Sequence, residues 1–177
     1  MKKALVVVDF QNDFVNGSLG FPEASGLDPL IASKVRKAMT DGTDVIFTLD
    51  THEKDYLETF EGRMLAVPHC LKGTEGWRIF GETGKEAEKA RVHGAVFLEK
   101  KQFGSIELGR LLAEKGYDDV EFCGLVSNIC VVSNVLIAKG AIPEAVLSVD
   151  SKATGSADKS DTDAALRIMK SCQVRVF

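Results

Sequence analysis

The stretch Ala4-Leu5-Val6-Val7-Val8, which ends at Asp9, decides the fold class of this chain. A continuous aliphatic and β-branched run is typical of a strand inside a parallel sheet, because such a strand is buried on both faces. Ligands of such sheets bind beyond the carboxyl ends of the strands. We therefore predict a central strand at residues 4–8 and functional side chains directly after it.

Outward from this strand, strand-like and helix-like segments alternate along the chain. The other strands are predicted at residues 44–49, 95–98, 120–123, 145–149 and 174–176. Helices are predicted at residues 28–41, 82–91, 106–115, 128–139 and 160–171. Asp28 and Ser105 are the expected N-caps of two of them, and Gly116 is an expected helix end.

The alternation predicts a three-layer α/β/α fold, in which a parallel six-stranded sheet carries helices on both faces. A loop follows Asp9, and residues 51–81 form a long irregular segment of the kind that usually carries function. The length favours a single domain over residues 1–177.

The composition argues against several classes of protein. The chain carries 22 Lys and Arg against 26 Asp and Glu, and this net charge of −4 argues against a nucleic-acid or anionic-membrane partner. No apolar run approaches the ~20 residues of a membrane-spanning helix, and the first residues lack a secretion-signal pattern. The four cysteines form no C-x-x-C pair, so we expect reduced thiols in a cytoplasmic protein.

Reactive side chains follow four of the predicted strands, and the strand-end rule places them on one rim of the sheet. They are Asp9, Asp50, Lys100 or Lys101, and the segment from Gly124 to Cys130. Cys130 falls in the first turn of a helix, where the helix dipole and a nearby lysine would stabilise a thiolate nucleophile. Asp9 would take a proton from Cys130 and return it to a leaving group. Each residue also has an ordinary structural interpretation: a buried core cysteine, a loop-capping aspartate or a solvated lysine.

Two of the three histidines lie in the long irregular segment that follows Asp50. On extended backbone, the spacing of Asp50 and His52 points both side chains to the same side. His69 would complete the group from across the segment, with Glu61 as a further ligand and Glu58 as a weaker alternative. Imidazole and carboxylate ligands suit zinc, iron or manganese, although His pairs also occur by chance on protein surfaces.

These motifs together resemble the isochorismatase-like cysteine hydrolases, and within them the nicotinamidases (pyrazinamidases). The matching segments are Val8 to Phe14, Asp50-Thr51-His52, Pro68-His69-Cys70 with Gly73 to Gly76, Lys100 to Ser105, and Gly124 to Val131. Each motif is weak alone, but the ordered set, which covers most of the chain, is specific.

The resemblance implies a catalytic triad. Asp9 would be the proton shuttle and Cys130 the nucleophile, and the family spacing selects Lys100 over Lys101. A cis peptide bond is implied before Ser127, with the backbone N–H groups of Ser127 and Cys130 as the oxyanion hole.

The resemblance also implies the ligands and the substrate contacts of the site. Zinc is the expected divalent metal, ahead of iron or manganese, and its ligands would be Asp50, His52, His69 and Glu61. The implied contacts with a small carboxamide substrate are Phe14, Gln11 and Val126.

The implied reaction is hydrolysis of nicotinamide to nicotinate and ammonia through a thioester on Cys130, with the metal orienting the substrate. Gly104 and Ile106 depart from the family pattern, so another small amide, ureide or carbamoyl compound is an alternative substrate. The family tendency predicts a homo-oligomer. A binding protein that kept the fold is a further alternative. A dinucleotide-binding protein is another, although the acidic, bulky segment after Asp9 argues against a phosphate there.

Overall fold

Six strands form one parallel sheet in the computed structural model, which describes residues 1–177. The strands are β1 (Lys3–Val8), β2 (Asp44–Asp50), β3 (Val96–Lys100), β4 (Asp119–Leu125), β5 (Val146–Gly155) and β6 (Arg175–Val176). Their order across the sheet is β3-β2-β1-β4-β5-β6, and every neighbouring pair is parallel. The predicted parallel six-stranded sheet is confirmed, with β1 near its centre.

Seven α-helices accompany the sheet. They are α1 (Asn12–Val15), α2 (Asp28–Asp41), α3 (Phe60–Met64), α4 (Gly81–Val92), α5 (Ile106–Lys115), α6 (Val132–Ala141) and α7 (Lys159–Ser171). Short 3-10 turns lie at Ala24–Leu27 and Tyr56–Glu58, and a π-helical turn at Ser127–Val131 precedes α6. The segments expected to be loops therefore contain two short helices, α1 and α3. No helix has both the length and the apolar character needed to cross a membrane.

Two hydrophobic cores hold the three layers together, one on each face of the sheet. Val6 and Val8 of β1 belong to the core that includes apolar residues of α5, α6 and α7, whereas Leu5 and Val7 belong to the core with α2 and α4. Alternate side chains of a strand point to opposite faces, so an uninterrupted apolar run supplies both cores at once. The predicted helices on both faces are confirmed.

The prediction that Asp28 caps its own helix is wrong. Helix α2 begins at Asp28 itself and has no side-chain cap. The Asp28 carboxylate instead accepts hydrogen bonds from the backbone N–H groups of Glu82 (2.7 Å) and Thr83 (2.8 Å) in the first turn of α4. It therefore caps a neighbouring helix, a contact that exists only after the two helices pack together. Ser105 does cap its own helix, by accepting from Leu108 N–H at 3.1 Å.

Strand β5 is longer than predicted, because it continues beyond residue 149 to Gly155. Its register with β4 shifts between Phe122 and Gly124, after which Thr154 pairs with Gly124. The extension brings Thr154 beside Ser127, where their hydroxyl oxygens lie 2.8 Å apart. Strand β3 is also longer, so that Lys100 is its last residue.

Candidate active site

The carboxyl ends of β1, β3 and β4 bring Asp9, Lys100 and Cys130 together below the surface. Asp9 follows β1, Lys100 ends β3, and Cys130 lies in the π-helical turn after β4. The Lys100 ammonium lies 2.7 Å from Asp9 Oδ2 and donates to Cys130 Sγ at 3.6 Å. The three residues are 0%, 4% and 4% exposed, respectively, so the cluster is shielded from bulk water.

The Asp9 carboxylate has one fixed oxygen and one free for proton exchange. Asp9 adopts a positive φ of 44°, and Thr48 Oγ1 on the adjacent β2 donates to Asp9 Oδ1 at 2.7 Å. Apart from the ion pair with Lys100, Asp9 Oδ2 has no hydrogen-bond partner. An oxygen in this position is available to accept a proton from a neighbouring thiol.

Gly124 allows the nucleophile-bearing turn to approach β1. Its φ of +110° favours glycine, and a Cβ at this position would lie 2.1 Å from the carbonyl oxygen of Val8. Only a residue without a side chain fits here, directly beside the strand end that carries Asp9.

Burial sets the protonation states of the triad. It raises the pKa of the Asp9 carboxyl above its usual value, although the Lys100 ammonium opposes this rise. Burial and the Asp9 charge also raise the pKa of the Cys130 thiol, again against the effect of Lys100. The helix start and Lys100 favour the thiolate, whereas burial and the Asp9 charge favour the neutral thiol. A base beside Cys130 is needed to activate it.

A second buried group lies beside the triad and shares Lys100 with it. Asp50, His52 and His69 offer ligand atoms that all lie within 4.8 Å of one another. Asp50 Oδ2 lies 3.0 Å from His52 Nε2 and 3.3 Å from His69 Nε2, while its other oxygen accepts from Lys100 at 3.2 Å. Burial would raise the pKa of Asp50, but its hydrogen bonds with the histidines and the Lys100 charge hold it well below the usual range.

Glu61, on the short helix α3, completes this group. Its Oε1 lies 3.8 Å from His52 Nε2 and 3.6 Å from His69 Nε2. Glu58 is exposed on the preceding turn. The structure therefore brings Glu61 to the Asp-His-His group and leaves the weaker alternative outside it.

The donors of this group fit a divalent cation. His69 Nδ1 lies 2.8 Å from the Val67 carbonyl oxygen, a hydrogen bond that orients the ring and directs Nε2 toward Asp50, where a cation would replace the contact between Nε2 and the carboxylate. Glu61 Oε2 is buried without a hydrogen-bond partner, a costly state that a bound cation would relieve. Tyr56 packs against both imidazoles, with ring centroids 4.7 and 5.1 Å away. Two imidazoles with carboxylates are ligands that zinc, iron and manganese accept.

Gln11 holds Asp50 through the backbone. Its Oε1 accepts from Asp50 N–H at 2.8 Å, and its Nε2 donates to the carbonyl oxygens of Asp50 (2.9 Å) and Trp77 (2.8 Å). Both amide hydrogens and the amide oxygen of Gln11 thus bond backbone groups, and its predicted contact with substrate stays a prediction. Asp13, two residues further along the chain, accepts from Cys70 N–H at 2.7 Å, directly beside His69.

Comparison with known proteins shows the family of this chain. Residues 3–177 match the model of the isochorismatase domain. The chain belongs to the isochorismatase family. The prediction of a hydrolase of this family is confirmed. The nicotinamidase/pyrazinamidase of Mycobacterium tuberculosis is 28% identical over an alignment of 191 positions, which covers 98% of this chain and 97% of that protein.

Solved structures of isochorismatase-family proteins have the same fold. The nicotinamidase/pyrazinamidase of Bacillus subtilis superposes with a TM-score of 0.91 at 27% identity over 99% of both chains. N-carbamoylsarcosine amidase of Thermoplasma acidophilum gives a TM-score of 0.80 at 26% identity over 99% of this chain and 95% of that one. The pyrazinamidase of Pyrococcus horikoshii, solved in complex with zinc, shares the fold at 24% identity, with a TM-score of 0.83 over 100% and 99% of the chains.

The remaining predicted residues of this isochorismatase-family site lie around the two buried groups. The Phe14 ring centroid is 5.5 Å from that of His69, and Val126 is half-buried after β4. The cis peptide bond expected before Ser127 lies one residue earlier, between Leu125 and Val126. A non-proline cis bond has no local sequence signal, so its predicted position depended only on the match to the family pattern.

Three residues of the site, Thr48, Tyr56 and Asn134, have no signal in the sequence. Thr48 and Asn134 act through contacts with segments far away in the chain, and Tyr56 packs on His52, four residues earlier, and on His69. Thr48 lies inside a predicted strand and Asn134 inside a predicted helix. A polar residue within an otherwise apolar segment is the only sequence feature that could have indicated either of them.

Proposed function

We propose that this chain hydrolyses nicotinamide to nicotinate and ammonia, with Cys130 as the nucleophile. The observation that carries the proposal is the Lys100 ammonium, which contacts Asp9, Asp50 and Cys130 at once. It joins a proton shuttle and a thiol to a group of metal-ligand type. Two relatives named nicotinamidase/pyrazinamidase, at 27% and 28% identity, support this substrate.

The chemistry begins with proton transfer. The Asp9 carboxylate takes the Cys130 proton as Sγ attacks the carboxamide carbon, and the Lys100 ammonium stabilises the charges on both partners. The tetrahedral intermediate then expels ammonia, which leaves with the proton that Asp9 returns, and a thioester remains on Cys130. Asp9 next removes a proton from water as the water attacks the thioester carbon. The carboxylic acid departs, and the thiol of Cys130 is restored.

The oxyanion of each tetrahedral intermediate needs hydrogen-bond donors. We assign this role to the backbone N–H groups of Ser127 and Cys130 in the π-helical turn. Removal of one such donor typically lowers the rate by about 10²–10³-fold. A hydrogen bond between the side chains of Ser127 and Thr154 joins this turn to β5.

Asp50, His52, His69 and Glu61 would hold the metal, for which zinc is our proposal ahead of iron or manganese. When bound, the ion would serve as a Lewis acid for the ring nitrogen of the substrate, which would orient the carboxamide. Phe14 is placed to pack against the substrate ring, since its own ring lies beside His69. Val126 is the proposed contact on the side of the nucleophile.

A second candidate is an isochorismatase-family hydrolase of another small amide or carbamoyl compound. N-carbamoylsarcosine amidase, at 26% identity and a TM-score of 0.80, favours this candidate. The imidazole pair distinguishes the two candidates, because a carbamoyl substrate without a ring nitrogen has no use for that anchor.

The test is ammonia release from nicotinamide by the purified protein, before and after chelation and after repletion with zinc or manganese. We expect release that is lost on chelation and restored by metal, and no release by Cys130→Ala. Release by Cys130→Ala would refute the covalent mechanism. No ammonia release from nicotinamide, together with ammonia release from an N-carbamoyl amino acid, would favour the second candidate.

We also propose a homo-oligomer in the cytoplasm. Its support is the exposed apolar surface of Leu57, Phe60 and Met64, which are 51%, 73% and 75% exposed, together with four free cysteines. Light scattering of the purified protein measures the oligomeric state, and a monomer at micromolar concentration would contradict the first part.

A further inference from the structure

Asn134 is a fully buried polar residue on α6, one helical turn beyond Cys130. Its Nδ2 donates to the carbonyl oxygens of Cys130 (2.8 Å) and Phe103 (3.0 Å), and its Oδ1 accepts from Ser105 N–H at 2.9 Å. Both amide hydrogens and the amide oxygen are therefore used, and all three partners are backbone groups.

These three bonds join the two chain segments on which the Lys100–Cys130 contact depends. Phe103 and Ser105 lie in the segment that directly follows Lys100, whereas the third carbonyl belongs to Cys130 itself. The segment lies close against α6, because a Cβ on Gly104 would be 2.5 Å from Ile137 Cδ1.

The sheet does not make this connection. Strand β3, which ends at Lys100, is separated from β4, which leads to Cys130, by β2 and β1. No backbone ladder runs directly between the two strands, so the packing of residues 103–115 against α6 acts together with the two intervening strands to set their separation at the site. Within that packing, the Asn134 amide supplies three directional hydrogen bonds, which fix the spacing of the backbone groups that they join.

We propose that Asn134 is a positioning residue that holds the Lys100 ammonium in place beside the Cys130 thiol. The inference deepens the proposed function and rests on Cys130 being its nucleophile. Asn134 touches no reacting atom and acts only through the backbone of the residues that do. A displacement of about 1 Å in such a site lowers turnover by up to about 100-fold.

Two variants separate its contacts. Asn134→Ser places a hydroxyl that donates to the carbonyl four residues earlier, that of Cys130, but is too short to reach residues 103–105. Asn134→Asp keeps the acceptor for Ser105 N–H and loses both donors. The control is Tyr117→Phe, which removes a partly buried hydrogen bond from Tyr117 to Asp44 (2.7 Å) near the amino ends of β2 and β4, away from the site.

The measurements are the melting temperature, kcat and KM for nicotinamide with metal-replete protein, and the pH profile of Cys130 alkylation by iodoacetamide. We expect both Asn134 variants to lower kcat about tenfold or more, with KM within about twofold, and Tyr117→Phe to leave kcat within about twofold. The midpoint of the alkylation profile should move to higher pH in the Asn134 variants alone, because Lys100 withdraws from Sγ.

Values of kcat for the Asn134 variants equal to that of Tyr117→Phe would overturn the proposal. So would variants that are unfolded at the assay temperature, since Asn134 would then serve stability. If the wild type does not hydrolyse nicotinamide, the proposed substrate fails, but the alkylation profiles still decide. A shifted midpoint supports the positioning role, and superimposable profiles refute it.

Discussion

Replacement of Lys100 by methionine tests the centre of the proposed mechanism. The substitution keeps most of the side-chain volume and removes the single positive charge that lies between Asp9 and Cys130. At an effective dielectric constant of about 20, two unit charges separated by the observed 2.7 Å interact by about 6 kcal/mol. Because the Lys100 charge opposes the effect of burial, its loss raises the pKa of Asp9 further above the usual value.

The pKa of Asp9 is already raised by burial in the wild type. A further rise keeps Asp9 protonated at neutral pH, and the carboxylate that accepts the thiol proton is then absent. Because a positioned general base typically contributes about 10²–10⁴-fold, we expect Lys100→Met to lower nicotinamide turnover and Cys130 alkylation by at least about 100-fold at pH 7.

The assay is carboxamidomethylation by iodoacetamide, followed by mass spectrometry of the Cys130 peptide. The half-exposed Cys172 serves as the internal reference. Lys101→Met is the matched control, because Lys101 is the exposed neighbour in the chain and has no part in the cluster. The assignment of Lys100 would be refuted if Cys130 were alkylated in Lys100→Met at the wild-type rate, or if Lys101→Met lowered the alkylation rate equally.

Three further substitutions test the surrounding structure. Glu61→Gln should weaken zinc binding by about tenfold or more, measured by calorimetry on the chelated protein, while the exposed Glu58→Gln should not; equal affinities would remove Glu61 from the ligand set. Gln11→Leu leaves three buried backbone groups without a partner and should lower the melting temperature by about 10 °C. An unchanged melting temperature with a raised KM would restore Gln11 as a substrate contact. Gly124→Ala should reduce the free energy of unfolding by more than Gly116→Ala, which meets open space and costs only about 1–2 kcal/mol of backbone strain; similar losses in denaturant melts would contradict the close approach to Val8.

The layers of the fold follow from local patterns in the sequence. The apolar run at residues 4–8 is buried on both faces because alternate side chains of a strand point to opposite sides, a property that needs no knowledge of the partners. Ser105 and Gly116 mark their helix ends because capping and positive φ are local as well. The family motifs likewise predicted all three triad residues and the group around Asp50.

Local sequence patterns did not predict the contacts between segments that are distant in the chain. The position of Asp28 predicts a cap for its own helix. Because α4 packs beside α2, the Asp28 carboxylate instead accepts hydrogen bonds from the first turn of α4. The resemblance implies a substrate contact for Gln11, and in the structure its amide bonds the backbone of Asp50 on the neighbouring strand. For both residues the sequence identifies a polar side chain, and tertiary packing decides its protein partner.

The sequence by itself determined the layers, the parallel sheet and the residues that end its strands, because strand burial and helix capping depend on near neighbours in the chain. Tertiary structure alone decided that Lys100, at the end of an edge strand, reaches Cys130 three strands away in the sheet order. Strand order and the tilt of helices are set by how two cores pack, which no single segment encodes. The same packing buries the cluster, and this burial raises the pKa of the Cys130 thiol beside Asp9.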